Sequence, residues 1–288
     1  MIVESKHSNT RLIKIAIVGL LASFVLSGLT ASLATKFLSA QSDHSNFYKD
    51  IFSLTGLWIG LVITAVYCAL STWPQPEGLL PDDVQVNTVD QVDNVHSNGT
   101  EGSLPRPSPT HRELQKSAGR FFYFYGYKIR PLKDIPLGIA VGIFAQLCLT
   151  PAFTWPLSFF VHNLARKISG PAKAIVHNLS GPQMIILGFF VCVMSPLVEE
   201  LFFRGLLQHG FADAFADFGR VAKAAGSIIF TAGIFALAHF ELLQFLPLLA
   251  FGIVLGVLAW FTKRLGPGII AHISFNTVAY AVVARGHF

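Results

Sequence analysis

The sequence predicts an all-α fold, a polytopic helical bundle integral to a membrane with about seven transmembrane helices. Two observations carry that prediction. Only 13% of the 288 residues are charged while 52% are hydrophobic, whereas a water-soluble domain has about a quarter of its residues charged. The charges are also clustered, which leaves uncharged stretches near the roughly 20 residues an α-helix needs to cross hydrocarbon. Cys68, Cys148 and Cys192 lie inside apolar runs, without metal-type spacing or the pairing of a secreted disulfide scaffold, and read as reduced packing residues.

Seven spans follow in order: Ile15 to Thr35 between Lys14 and Lys36, Ile51 to about Trp73, Ile135 to about Thr154, Gln183 into Glu199, Ala224 to Phe240, Leu242 to Thr262, and Pro267 to Ala284. Basic residues precede the first span, and Ser32, Leu33 and Ala34 resemble a signal-peptidase site. Its apolar stretch is too long for a secretory h-region, so it reads as a retained signal anchor. Between the second and third spans, residues 74–113 are rich in Pro, Asp, Asn and Ser and lack the apolar residues to bury a core. The run Phe121-Phe122-Tyr123-Phe124-Tyr125 between Arg120 and Lys128 fits a headgroup layer better than stacking on bases. The organisation is therefore two N-terminal helices over 1–73, a polar cytoplasmic loop with an interfacial aromatic segment over 74–130, and a membrane core over 131–288. Sequons at Asn98 and Asn178 carry no weight by themselves.

Orientation follows the distribution of Lys and Arg. With the amino terminus inside, 15 of the 21 basic residues fall on the inner side and 6 on the outer, which makes the N-terminus cytoplasmic and the C-terminus external. The formal charge of +5 is spread over the ends of hydrophobic segments and not over one face, so anionic lipid explains it and nucleic acid does not.

The residues that carry chemistry are polar ones placed where lipid should forbid them. Ser195-Pro196-Leu197-Val198-Glu199-Glu200-Leu201-Phe202-Phe203-Arg204 brings three charges to the end of the fourth span, each costing roughly 2.5 to 3.5 kcal/mol at mid-bilayer. Glu200 and Arg204 are four apart and share a helix face, while Glu199 points about 100° away. Phe235 and His239 are likewise four apart, as are His272 and Asn276. Taken singly, the charges are a helix end at the headgroups and each histidine an interhelical hydrogen bonder. Together they supply what water activation needs: Glu199 as general base, and imidazole and amide donors for an oxyanion.

Glu-Glu-x-x-x-Arg at 199–204, Phe-x-x-x-His at 235–239 and His-x-x-x-Asn at 272–276, in that order, resemble the three motifs of the type II CAAX prenyl endopeptidases and their bacterial relatives, the CPBP or Abi intramembrane proteases. The resemblance spans about residues 130–285 and implies that the membrane core over 131–288 is the catalytic part. It implies an all-helical membrane endopeptidase of a bacterial cell membrane whose substrates are membrane-associated proteins or peptides, reached from lipid or the cytoplasmic face. It also implies roles. Glu199 activates the water, His239 assists, His272 and Asn276 form the oxyanion site, and Glu200 and Arg204 brace the motif helix. Glu199, His239 and His272 are candidate ligands for Zn2+, which the family's metalloprotease label suggests, although His-Glu-x-x-His is absent. A non-catalytic scaffold or bacteriocin self-immunity factor would use the same frame. A proton-coupled transporter is a further rival, though the repeats and broken helices many transporters show are missing.

The simple spans conflict with one shared site. At about 1.5 Å per residue, Glu199 and His239 would miss each other by about 16 Å across antiparallel helices. A single site therefore predicts that the motif helix continues past Arg204 into Leu206 to Phe215, and that the fifth helix starts earlier or bends.

Overall fold

A computed structural model describes residues 3–38, 45–71, 130–177 and 179–285. Of the expected loop over 74–130 only its last residue, Arg130, is among the described residues; the aromatic run 121–125 and both sequons lie outside them. The described chain is helical and contains no strand: α1 (Val3–Leu38), α2 (Ser45–Ser71), α3 (Pro131–Ser158), α4 (Leu164–Val176), α5 (Gly181–Ala214), α6 (Gly219–Ala238), α7 (Phe245–Thr262) and α8 (Gly266–Ala284). Seven of these are long and apolar enough to cross a bilayer. On α1 the apolar side chains of Val18, Leu21, Val25, Leu29 and Leu33 stay exposed, a stripe at helical spacing that a lipid solvent tolerates and water does not.

Two boundaries depart from the simple hydropathy spans, in the direction that a single shared site predicts. The fourth span does not stop at Glu199 but continues to Ala214, because Glu200 and Arg204 satisfy each other inside the bundle and the helix has no need to end at its charges. The fifth begins at Gly219, before Ala224, and ends at Ala238, and Phe240 then turns the chain with a φ of 53°. No element is expected between the third and fourth spans, yet α4 forms there. Leu164, Ile168, Ala172, Ile175 and Val176 alternate with Arg166, Lys167 and Lys173 at helical spacing, the pattern of a helix lying in an interface. α5 opens with a capping box in which the Ser180 N–H donates to Gln183 Oε1 at 2.9 Å.

Small residues set the helix registers. A Cβ on Gly60 would lie 2.5 Å from Ser23 Oγ, and one on Gly142 would lie 2.2 Å from the Ala271 carbonyl oxygen, so backbones meet there as only glycine permits. Gly60 against Ser23 and Gly19 against Thr64 make α1 and α2 an antiparallel pair. Trp58 stacks at 5.1 Å from Phe190 and Phe47 packs among Met184 and Leu187, so α2 runs parallel to α5. Tyr280 donates to the Met184 carbonyl at 2.7 Å, while His272 reaches Glu200, so α8 runs antiparallel to α5. The largest core joins α1 and α2 to the motif helix through Ala16, Leu20, Trp58, Leu61, Phe202 and Leu206. A second lock holds α3 to the turn before α8: buried Asp134 accepts from Arg264 Nη2 at 2.8 Å and from the Arg130 N–H at 2.6 Å.

Candidate active site

Glu199 and Glu200 are adjacent in sequence and face different surroundings. Helix α5 departs from α-geometry on both sides of them, with π-helical turns at Phe190–Met194 and Leu201–Leu207 flanking the short α-segment Ser195–Glu200. Such wider turns are rare and concentrate at functional sites. One backbone carbonyl in the first of them, that of Val191, accepts from the Asn276 side-chain amide at 3.0 Å.

Glu200 is wholly buried. Its Oε1 takes Arg204 Nη1 at 2.8 Å and His272 Nδ1 at 3.0 Å. Arg204, equally buried, donates through Nη2 to the Gly252 carbonyl at 3.2 Å and lays its guanidinium 4.5 Å from the centre of the Phe235 ring. One turn on, Gln208 repeats the pattern on the Gly256 carbonyl at 3.0 Å. Neither Glu200 nor Arg204 lines the cavity that holds Glu199, and Glu200 reaches it through His272.

Glu199 opens instead into a cavity of about 570 Å3. Ser195 donates its hydroxyl to Glu199 Oε1 from one turn back. Oε2 has no hydrogen-bond partner among the described residues and stands 4.0 Å from His239 Nε2 and 3.9 Å from His272 Nε2. His239 Nδ1 lies 2.7 Å from the Phe235 carbonyl. A carbonyl only accepts, so that nitrogen carries the proton and the Nε2 of the neutral ring presents a lone pair to the site. An acceptor facing a carboxylate oxygen at 4.0 Å requires a donor between or beside them.

The structure thus brings Glu199, His239 and His272 together from α5, the end of α6 and α8. The 16 Å gap of the simple spans closes because α5 is longer and α6 starts earlier. Asn276 lines the same cavity one turn along α8 from His272, with its amide engaged on Val191 and not on Glu199. Ser195 and Gln208 are site and support residues that the motif reading missed. Ser195 is visible in hindsight as a hydroxyl four residues before Glu199, and Gln208 as an amide four residues after Arg204, opposite glycines spaced Gly252-x-x-x-Gly256.

For the candidate zinc set, the three acceptor atoms are of the right chemistry, but their separations of 3.9 and 4.0 Å exceed the roughly 3.3 Å between ligands of a tetrahedral ion bound at about 2.0 Å. Among the described residues no group of three His, Cys, Asp or Glu side chains is arranged to hold a metal ion. The set as it stands does not fit.

Residues 181–278 match the family described as type II CAAX prenyl endopeptidase Rce1-like. The match is narrower than the sequence resemblance suggested. It covers α5 to most of α8, hence all the residues just described, and stops short of α3 and α4. At family level it supports a CAAX-protease-like membrane endopeptidase, and with the seven apolar helices an integral membrane protein in a lipid bilayer. No curated protein and no solved structure gives a match.

Proposed function

We propose that the protein hydrolyses peptide bonds of membrane-associated proteins or peptides with a water activated by Glu199. One observation carries this reading: Glu199 and His239 line one cavity, and the unpartnered Glu199 Oε2, buried at its wall, stands 4.0 Å from the lone-pair nitrogen of His239. A water there donates one hydrogen to each acceptor, which aims its own lone pair outward at a substrate carbonyl. As the water oxygen bonds to that carbon, Glu199 takes the proton. The carbonyl electrons move to oxygen, where His272 donates from Nε2 when both its nitrogens are protonated, and the second N–H of Asn276 adds a further donor. Collapse of the intermediate breaks the C–N bond, and Glu199 returns the proton to the leaving amine.

Glu200 and Arg204 act as positioning residues. Their ion pair fixes the His272 ring through Nδ1, and Ser195 fixes the Glu199 carboxylate through Oε1. No step runs through a metal. The N-in orientation belongs to the same reading, since the face of the bundle where α1 begins and α5 ends collects Arg11, Lys14, Arg130, Lys133, Arg220, Lys223 and Lys263.

The test is cleavage of a membrane-peptide library by detergent-purified protein, wild type beside Glu199→Ala, with and without chelator. Cleavage lost in the variant is the expected result, and the chelator arm decides whether Zn2+ is needed. A folded wild type that cuts nothing would turn the reading toward a scaffold or immunity factor.

A further inference from the structure

The cavity extends well beyond the catalytic groups, and its charges are of one sign. Besides Glu199 its lining includes the carboxylates Asp50 on α2 and Glu241 after α6, with no Lys or Arg among the lining residues. The walls between are apolar, formed by Leu54, Leu57, Val191, Phe275, Ala279 and Val283 among others. Glu241 is exposed in the α6–α7 turn, whereas Asp50 is half-buried on a transmembrane helix. The neighbouring Lys49 is exposed and points about 100° away around the helix. Among the described residues no ion pair engages Asp50.

The registers place Asp50 along the axis. α2 runs parallel to α5, with the Trp58 ring against Phe190 and Phe47 against Met184 and Leu187. Those contacts put Asp50 between nine and seventeen residues of rise before Glu199, which separates the two carboxylates by about 14 to 25 Å along the axis. An extended polypeptide covers that distance in about four to eight residues.

We propose that Asp50 determines specificity by receiving a cationic side chain of the substrate about four to eight residues from the bond that Glu199 attacks, with the apolar segment between them lying along the cavity wall. The occupant is thus a polypeptide with a Lys or Arg beyond a short apolar stretch. A carboxylate of the substrate at that distance meets Asp50 and is disfavoured. A partly desolvated carboxylate without a fixed partner is where one opposite charge gains most and one like charge loses most. This inference rests on the protease reading.

The test uses one apolar peptide sequence in which a single Lys, Gln or Glu is moved from two to ten residues on either side of the cleaved bond, in detergent free of amine lipids. In wild type, Lys is expected to lower KM at least tenfold relative to Gln at one or two adjacent positions about four to eight residues from the bond, on one side only. In Asp50→Asn the Lys-over-Gln ratio falls to about one, and in Asp50→Lys the preference passes to Glu, an inversion that misfolding does not produce. A preference retained in Asp50→Asn, or no dependence on position, overturns the proposal. Binding of the same fluorescent peptides to Glu199→Ala protein keeps the two readings apart. Affinity that depends on Asp50 without any cleavage by wild type rejects the protease and supports this site, whereas cleavage with Asp50-independent affinity does the reverse.

Discussion

The two halves of helix α5 carry polar residues to opposite ends. From Val191 to Glu199 its polar side chains face a cavity and keep unfilled valences: Glu199 Oε2 has no partner and Ser195 is spent on holding its carboxylate. From Glu200 to Gln208 the polar side chains are sealed inside and each reaches at least one fixed partner on α7 or α8, although Glu200 Oε2, Arg204 Nε and Gln208 Oε1 make no hydrogen bond among the described residues. The first half is built to meet something that comes and goes. The second is built to place the first, since a buried charge without a partner is far costlier than one that is paired. The helix phase alone puts Glu199 and Glu200 on either side of this divide.

Breaking each half should therefore fail in a different way. Glu199→Gln is expected to slow cleavage by about 10²- to 10⁴-fold with little change in thermal unfolding in detergent. A fully active variant would end its role as base. Arg204→Ala should leave Glu200 buried and unpaired and lower stability by about 3–5 kcal/mol, read as loss of folded protein on gel filtration. The double change Glu200→Leu with Arg204→Met is expected to recover most of that stability while cleavage stays slow, because His272 Nδ1 has lost its acceptor. Full activity in the double variant would show that the ion pair serves packing alone.

Two smaller effects sharpen the contrast. Gly142→Ala forces α3 away from the Ala271 carbonyl and should cost about 1–3 kcal/mol by overpacking, measured by denaturation, with the KM of any substrate altered less than stability. Gln208→Ala removes one buried hydrogen bond to Gly256 and should cost about 1 kcal/mol with the cleavage rate of the folded fraction retained. A rate loss larger than the stability loss there would extend the catalytic support one turn further along α5 than the geometry suggests.

Much of the molecule was legible before its structure. All seven spans are readable from hydropathy because lipid imposes the same demand on every one: an apolar surface about 20 residues long with its backbone bonds closed internally. The three motifs are readable because charges and imidazoles in such segments are costly without a use. Where hydropathy misled, at the end of α5, it did so because a charge inside a partnered bundle looks in sequence like a charge at a membrane surface. Arg204, counted with the inner-face cations in the orientation argument, is fully buried. The interfacial helix α4 was hidden for the opposite reason: it is too short and too basic to register as a span, although its helical alternation was present in the sequence.

The sequence by itself determined the solvent, the number of apolar spans and the helix phase that separates Glu199 from Glu200, because each depends on composition and on spacing within a single helix. Only the tertiary structure decided that the cavity lies on the Glu199 side, that His239 and His272 converge on one oxygen of Glu199, and that Asp50 shares their cavity from the far end. Those facts depend on the depth and register of different helices against one another. Register is set by where small residues let backbones meet and by π-turns that shift the phase along α5, and neither quantity accumulates along the chain in a way that hydropathy or spacing records.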